Sequence, residues 1–107
     1  MNRPIIAADA TGVWREDSSG DRWGIRWDEI SRVAIGKLDC VDRMDTTIEL
    51  DFGFGEFMEL NSSFSGFEDA MEAITSQLEG FPPDWRSRSD HLKPDDASLV
   101  LWARSVR

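Results

Sequence analysis

The chain has 107 residues, 40% of them hydrophobic and 31% charged, with a formal net charge of −9. That length holds one hydrophobic core, and the composition describes a globular rather than a disordered or membrane-spanning chain, since no run nears the ~20 apolar residues of a span. The single cysteine, Cys40, cannot form an intrachain disulfide, which together with an N-terminal apolar run too short for a signal peptide leads us to expect a cytoplasmic protein.

In chain order, Ile5-Ile6-Ala7-Ala8 reads as a first strand and Val13-Trp14-Arg15-Glu16 as a second, after a turn at Thr11-Gly12. Asp17-Ser18-Ser19-Gly20-Asp21 has no apolar side chain and is a turn. Trp23, Ile25 and Trp27 then occupy alternate positions, so a strand with these three on its inner face is expected. An indole withdraws about 200 Å² from water, an upper bound of ~5 kcal/mol for each, so the core is expected to form over this stretch. The spacing breaks at Asp28-Glu29, which predicts a kink, and resumes at Val33 and Ile35 in a strand ending near Gly36-Lys37-Leu38. Asp39 to Asp45 reads as a polar connection.

Thr46, Ile48, Leu50 and Phe52 alternate with Thr47, Glu49 and Asp51 in the cleanest strand pattern of the chain. Gly53-Phe54-Gly55 turns it back into Glu56-Phe57-Met58-Glu59-Leu60, with Met58 and Leu60 inward. That phase leaves Phe57 outward between two glutamates; cover of Phe54 and Phe57 by the C-terminal tail is expected, and an apolar spot facing a partner is the alternative. Ser65 and Glu68 have the spacing of a capping box. Phe67, Ala70, Met71, Ile74 and Leu78 share one helical face, which predicts a helix over 66–79, stopped by Gly80 and Pro82-Pro83. The domain is thus expected to run from 1 to 107, with a β core in 1–64, the helix segment in 65–80 and a tail in 81–107. That tail is expected to pack back on the core through buried Trp85 and Trp102.

The charge is segregated. Residues 39–80 hold eleven acids against one base, Arg43, while the remainder is close to neutral. Such a middle repels nucleic acid and anionic membranes and attracts a basic partner; an acidic surface also serves solubility alone. The pattern Trp27-Asp28-Glu29-Ile30-Ser31-Arg32-Val33, with two strands after it and Gly66-Phe67-Glu68 opening a helix, resembles bacterial pleckstrin-homology-like domains across residues 5–80. The resemblance implies an α+β fold: a curved antiparallel sheet or partly open barrel with one C-terminal amphipathic helix, here followed by an extended tail. Phe81-Pro82-Pro83-Asp84-Trp85 and Leu99-Val100-Leu101-Trp102-Ala103-Arg104 look like the C-terminal region of small stand-alone proteins of this kind, several of which are similar to immunity proteins of contact-delivered toxins.

None of the patterns that carry chemistry is complete. Asp39, Asp42 and Asp45 lack the spacing and distal glutamate of a calcium loop. His91 is the sole histidine and Cys40 the sole cysteine, too few for zinc, and the acids around Cys40 raise rather than lower a thiol pKa. Gly53-Phe54-Gly55 is not a phosphate cradle, and nothing fixes two carboxylates across a cleft as a glycosidase needs. Lipid binding is disfavoured because Glu16, Asp17 and Asp21 share the first long loop with Arg15 and Arg22. We therefore expect no enzyme, no metal and no cofactor. The expected function is protein binding, as an immunity protein that occludes a basic toxin, through Glu49, Asp51, Phe57, Glu59, Glu68 and Glu72. The alternative is a general adaptor that pairs a strand with a sheet edge.

Overall fold

The computed structural model describes residues 4–105, so the expected domain limits at 1 and 107 lie outside the described residues. Seven strands form, in order: β1 (Ile5–Ala8), β2 (Gly12–Glu16), β3 (Arg22–Arg26), β4 (Ile30–Cys40), β5 (Arg43–Phe52), β6 (Glu56–Asn61) and β7 (Leu99–Ala103). Helices α1 (Phe67–Gln77) and α2 (Trp85–Ser89) stand between β6 and β7. The strands make two antiparallel sheets, β1-β2-β3 and β6-β5-β4-β7, which do not close into one barrel. The architecture is α+β, as the periodicities imply.

One turn of 3₁₀ helix, Trp27–Glu29, joins the sheets at the predicted kink. It is held from three sides: the Glu29 carboxylate accepts from the Arg26 amide at 2.8 Å, the Trp27 indole donates to the Asp9 carbonyl at 2.8 Å, and Arg104 donates to the Trp27 carbonyl at 2.8 Å. The inward residues of both sheets and of α1 meet in a single core that includes Val13, Ile25, Trp27, Val33, Ile48, Leu50, Met58, Leu60, Met71 and Ile74.

The structure corrects the sequence reading at several places. Trp23 is 38% exposed, at the rim and not in the core. It lies opposite Arg15, and its ring rests against Phe52 with centroids 6.1 Å apart. The polar connection from Asp39 to Asp45 is mostly strand: β4 and β5 stay paired to Cys40 and Arg43, and only Val41 and Asp42 form the turn. This ribbon end projects past the core, with Leu38, Val41 and Met44 exposed, so no alternation marks it, and backbone pairing with polar cross-strand contacts extends it.

The capping box does not form either. The N-cap of α1 is Gly66, at φ 88°, with no side-chain cap. Ser65 is drawn instead against β1, where its carbonyl accepts from the Ile6 amide at 2.8 Å and its amide donates to the Pro4 carbonyl at 3.2 Å. Glycine is required at 66, since a Cβ there would stand 2.0 Å from the Ile6 carbonyl oxygen. The tail is not extended throughout, because residues 85–89 form α2. Trp85 is buried edge-on to Phe67, whereas Trp102 is only half-buried, its indole donating to the Glu79 carbonyl at 2.9 Å. Finally, the tail does not cover Phe54 and Phe57. It supplies β7 at the β4 side of the sheet, the edge opposite β6, and both phenylalanines stay exposed.

Candidate functional site

The strand alternation that sends Ile48 and Leu50 into the core sends Thr47, Glu49 and Asp51 to the outer face of the four-stranded sheet. Register then sets their neighbours. Glu49 lies opposite Glu59 of β6 and Ala34 of β4, and Asp51 lies opposite Phe57 of β6 and Arg32 of β4. Two glutamates directly across a ladder repel. Arg32 offsets this in part, with Nε 2.7 Å from Asp51 Oδ2 and Nη2 3.4 Å from Glu49 Oε2.

One guanidinium between two carboxylates leaves a net negative charge, and the titration of Glu49 reflects it. Its hydrogen bond with Asp51, then burial and the Asp51 charge, push the Glu49 carboxyl above its ordinary value in spite of Arg32. Arg32 is correspondingly raised, chiefly by its hydrogen bond to Asp51. The face therefore holds a proton between neighbouring acids more readily than an isolated glutamate does.

At the β5–β6 turn the acids meet exposed rings. Phe57 is 54% exposed, and Phe54 stands fully exposed between Gly53 at φ 59° and Gly55 at φ 81°. A depression of about 340 Å³ runs beside them, lined in part by Arg32, Glu49, Asp51, Phe52, Glu56 and Phe57. The nearest cations are already engaged. Arg32 holds Glu49 and Asp51, and Arg15 donates from Nε to Asp17 at 2.7 Å and from Nη1 to the Glu59 carbonyl at 2.7 Å. The surface that remains is apolar at its centre and acidic around it.

The structure brings together Glu49, Asp51, Phe57 and Glu59, and it does not bring Glu68 and Glu72 to them. Those two lie on the solvent face of α1, whose other face shares a core with the inward face of β5, so the two groups point away from each other. Glu68 is paired with Arg86, whose guanidinium also stacks 4.6 Å from the Trp85 ring. Sequence reasoning missed two members, Glu56 and the tip residue Phe54, because it set Phe54 under the tail. It also missed the exposure of Trp23, for which the register of Val13 gives a signal: with Val13 inward, Arg15 shares that face, and the residue opposite Arg15 lies at a charged rim.

The other candidate clusters resolve as follows. Asp45 does not sit in a solvated turn. Its side chain is 5% exposed, 2.9 Å from Arg43 Nε, and accepts from the Cys40 thiol at 3.4 Å. Arg43 holds the Asp45 carboxyl below its ordinary value. Burial first, then the Asp45 hydrogen bond and charge, push the Cys40 thiol up, which leaves little thiolate for nucleophilic chemistry. Among the described residues, no three His, Cys, Asp or Glu side chains are grouped to hold a metal ion.

The chain is thus an α+β protein of two antiparallel sheets, with an exposed face of acids and phenylalanines on the larger one. No protein-family model, no curated protein and no solved structure matches it.

Proposed function

We propose that this chain is a non-enzymatic, cytoplasmic protein-binding domain of pleckstrin-homology-like form, which binds a basic protein through the outer face and tip of the β5–β6 hairpin. One observation carries the reading: two exposed phenylalanines, Phe54 and Phe57, lie beside Glu49, Asp51, Glu56 and Glu59, with the neighbouring Arg32 and Arg15 already engaged. Exposed rings supply the anchor and unmatched acids supply steering and the choice of a cationic partner. In the specific form that the resemblance suggests, the partner is a basic toxin and the chain is its immunity protein, acting by occlusion. Glu68 and Glu72 have no part in this contact. Pairing of a partner strand to a sheet edge is the alternative, adaptor reading; at the β6 edge Arg15 already occupies the Glu59 carbonyl.

The test is affinity capture from the native host with wild type, with Phe54→Ser/Phe57→Ser, and with Glu49→Lys/Glu59→Lys, each at low and moderate salt. A basic protein held by wild type, released by salt and lost with both double variants is the expected result. A partner indifferent to both sets of changes and to salt overturns the proposal.

A further inference from the structure

Aromatic rings near the surface of this chain are mostly covered by its own arginines. Trp14, Phe64 and Trp102 are half-buried, and each lies under a guanidinium: Arg22 is 5.8 Å from the Trp14 ring centre, Arg15 is 4.9 Å from Phe64 and Arg104 is 5.1 Å from Trp102. Arg86 does the same at buried Trp85, at 4.6 Å. Trp23 and Phe52 rest against each other. Among the described residues, Phe54 and Phe57 are the exposed rings with neither a guanidinium nor a second ring beside them.

The two differ in their surroundings. Phe54 stands on the turn, outside both strands. Phe57 is on β6, opposite Asp51, and the depression of about 340 Å³ runs from its ring past Asp51 to Arg32. Glu49 and Glu56 line the same hollow, and Glu59 lies two positions from Phe57 on the same face of β6. Glu56 and Glu59 have no ion-pair partner among the described residues. Arg32 is held by Asp51 and Glu49 and does not stack on Phe57. The four acids thus exceed Arg32 by three charges at neutral pH.

A ring walled by carboxylates draws a cation, and it favours arginine over lysine. A planar guanidinium lays its face on the ring while its N–H edge forks to carboxylates, whereas an ammonium is compact and strongly hydrated. Arg32 shows how a guanidinium meets this face, with Nε and Nη2 on two different carboxylates. We infer that the hollow beside Phe57 is an arginine subsite, in which the guanidinium of a partner protein lies on the Phe57 ring with its N–H groups directed to the surrounding acids. The inference rests on the β5–β6 face as a binding surface, and it adds that this face selects an arginine side chain and not positive charge alone.

The probes are acetyl-Gly-Arg-Gly-amide and acetyl-Gly-Lys-Gly-amide, equal in charge, titrated into the isotopically labelled full chain and followed by backbone amide shifts. The arginine peptide is expected to move the amides of Glu49, Asp51, Glu56 and Phe57 and to bind about threefold tighter than the lysine peptide, or more. Phe57→Leu keeps an apolar side chain without a π face; it is expected to weaken the arginine peptide about fivefold and bring the two peptides level. Glu56→Gln is expected to weaken both together, and Glu72→Gln, on the solvent face of α1, to leave both unchanged. Equal affinities for wild type overturn the inference and leave the basic-partner reading in place. An arginine preference that survives Phe57→Leu, or shifts centred on Glu68 and Glu72, overturns it equally. Absence of any shift at this face with either peptide up to about 10 mM also overturns it, and the capture experiment then judges the broader reading by itself.

Discussion

The two ends of β5 handle their acids in opposite ways. Near its start, Asp45 is buried and has a guanidinium beside it, Arg43 at 2.9 Å, together with the Cys40 thiol as a second donor. Near its finish, Glu49 and Asp51 are half-exposed and share Arg32. The matched acid is pulled below its ordinary pKa, whereas one of the sharing acids is pushed above it. Both hairpin tips also display a fully exposed apolar residue, Val41 at one and Phe54 at the other. The lesson is that segregation of charge along a sequence does not identify a binding surface by itself. An acid with its own cation serves the fold, and only acids in excess of cations remain available to a partner.

The comparison can be calibrated, broken and sharpened by mutation. The core beneath both ends sets the scale: Ile74 is fully buried, and Ile74→Asp is expected to cost several kcal/mol, approaching the ~5–15 kcal/mol of total stability. A denaturant midpoint within error of wild type would show that α1 does not pack on the sheet. Next in size, Asp45→Ala removes the buried acceptor shared by Arg43 and the Cys40 thiol and is expected to cost about 1–3 kcal/mol in urea unfolding. Glu49→Gln removes an acid that competes for a shared cation, so its expected change is within ~0.5 kcal/mol near neutral pH, with a stabilising sign.

Acid titration of stability separates the ends by slope. The Asp45 contribution is present above the ordinary carboxylate value of 3.8 and is lost as pH falls through its lower folded pKa. Glu49 does the reverse. Its folded form keeps a proton longer than the unfolded chain, so its contribution declines as pH rises from 4.5 through the raised folded value. Melting temperature against pH is therefore expected to fall less steeply in acid for Asp45→Asn than for wild type. Over the range just above pH 4.5, Glu49→Gln is expected to gain on wild type as pH increases. Equal slopes for the two variants would break the contrast. The smallest expected effect is Phe54→Ser, which touches no core residue and should leave thermal stability within ~0.5 kcal/mol.

Elements that bury one face were legible in the sequence, because burial imposes a period. Ile48 and Leu50 in β5, Met58 and Leu60 in β6, and Phe67, Ala70, Met71 and Ile74 in α1 all lie where alternation or helical spacing put them. Where the fold rests on backbone pairing or close approach, no period exists to be read. The last turn of the β4–β5 ribbon stands clear of the core, and the cap of α1 is decided by the distance between Gly66 and Ile6, residues far apart in sequence. The candidate site divides along the same line. The outward phase of Glu49, Asp51, Phe57 and Glu59 follows from strand periodicity. The exposure of Phe54 depends on which edge the tail joins, and the separation of Glu68 and Glu72 on which face of the sheet α1 covers; both are matters of topology.

The pairing of β4 with β7 also has a consequence for biosynthesis. Arg104 reaches back 77 positions to the Trp27 carbonyl, and β7 is the last of the described strands to be made although it borders β4, the fourth. At about 5–20 residues per second, β4 emerges several seconds before the strand that completes one of its sides. During that interval the nascent sheet exposes the backbone of Val33, Ala34 and Ile35, all buried in the finished protein. A pulse of protease or a chaperone acting on ribosome-bound chains would meet its target there, and chains halted before residue 99 are expected to be the aggregation-prone species.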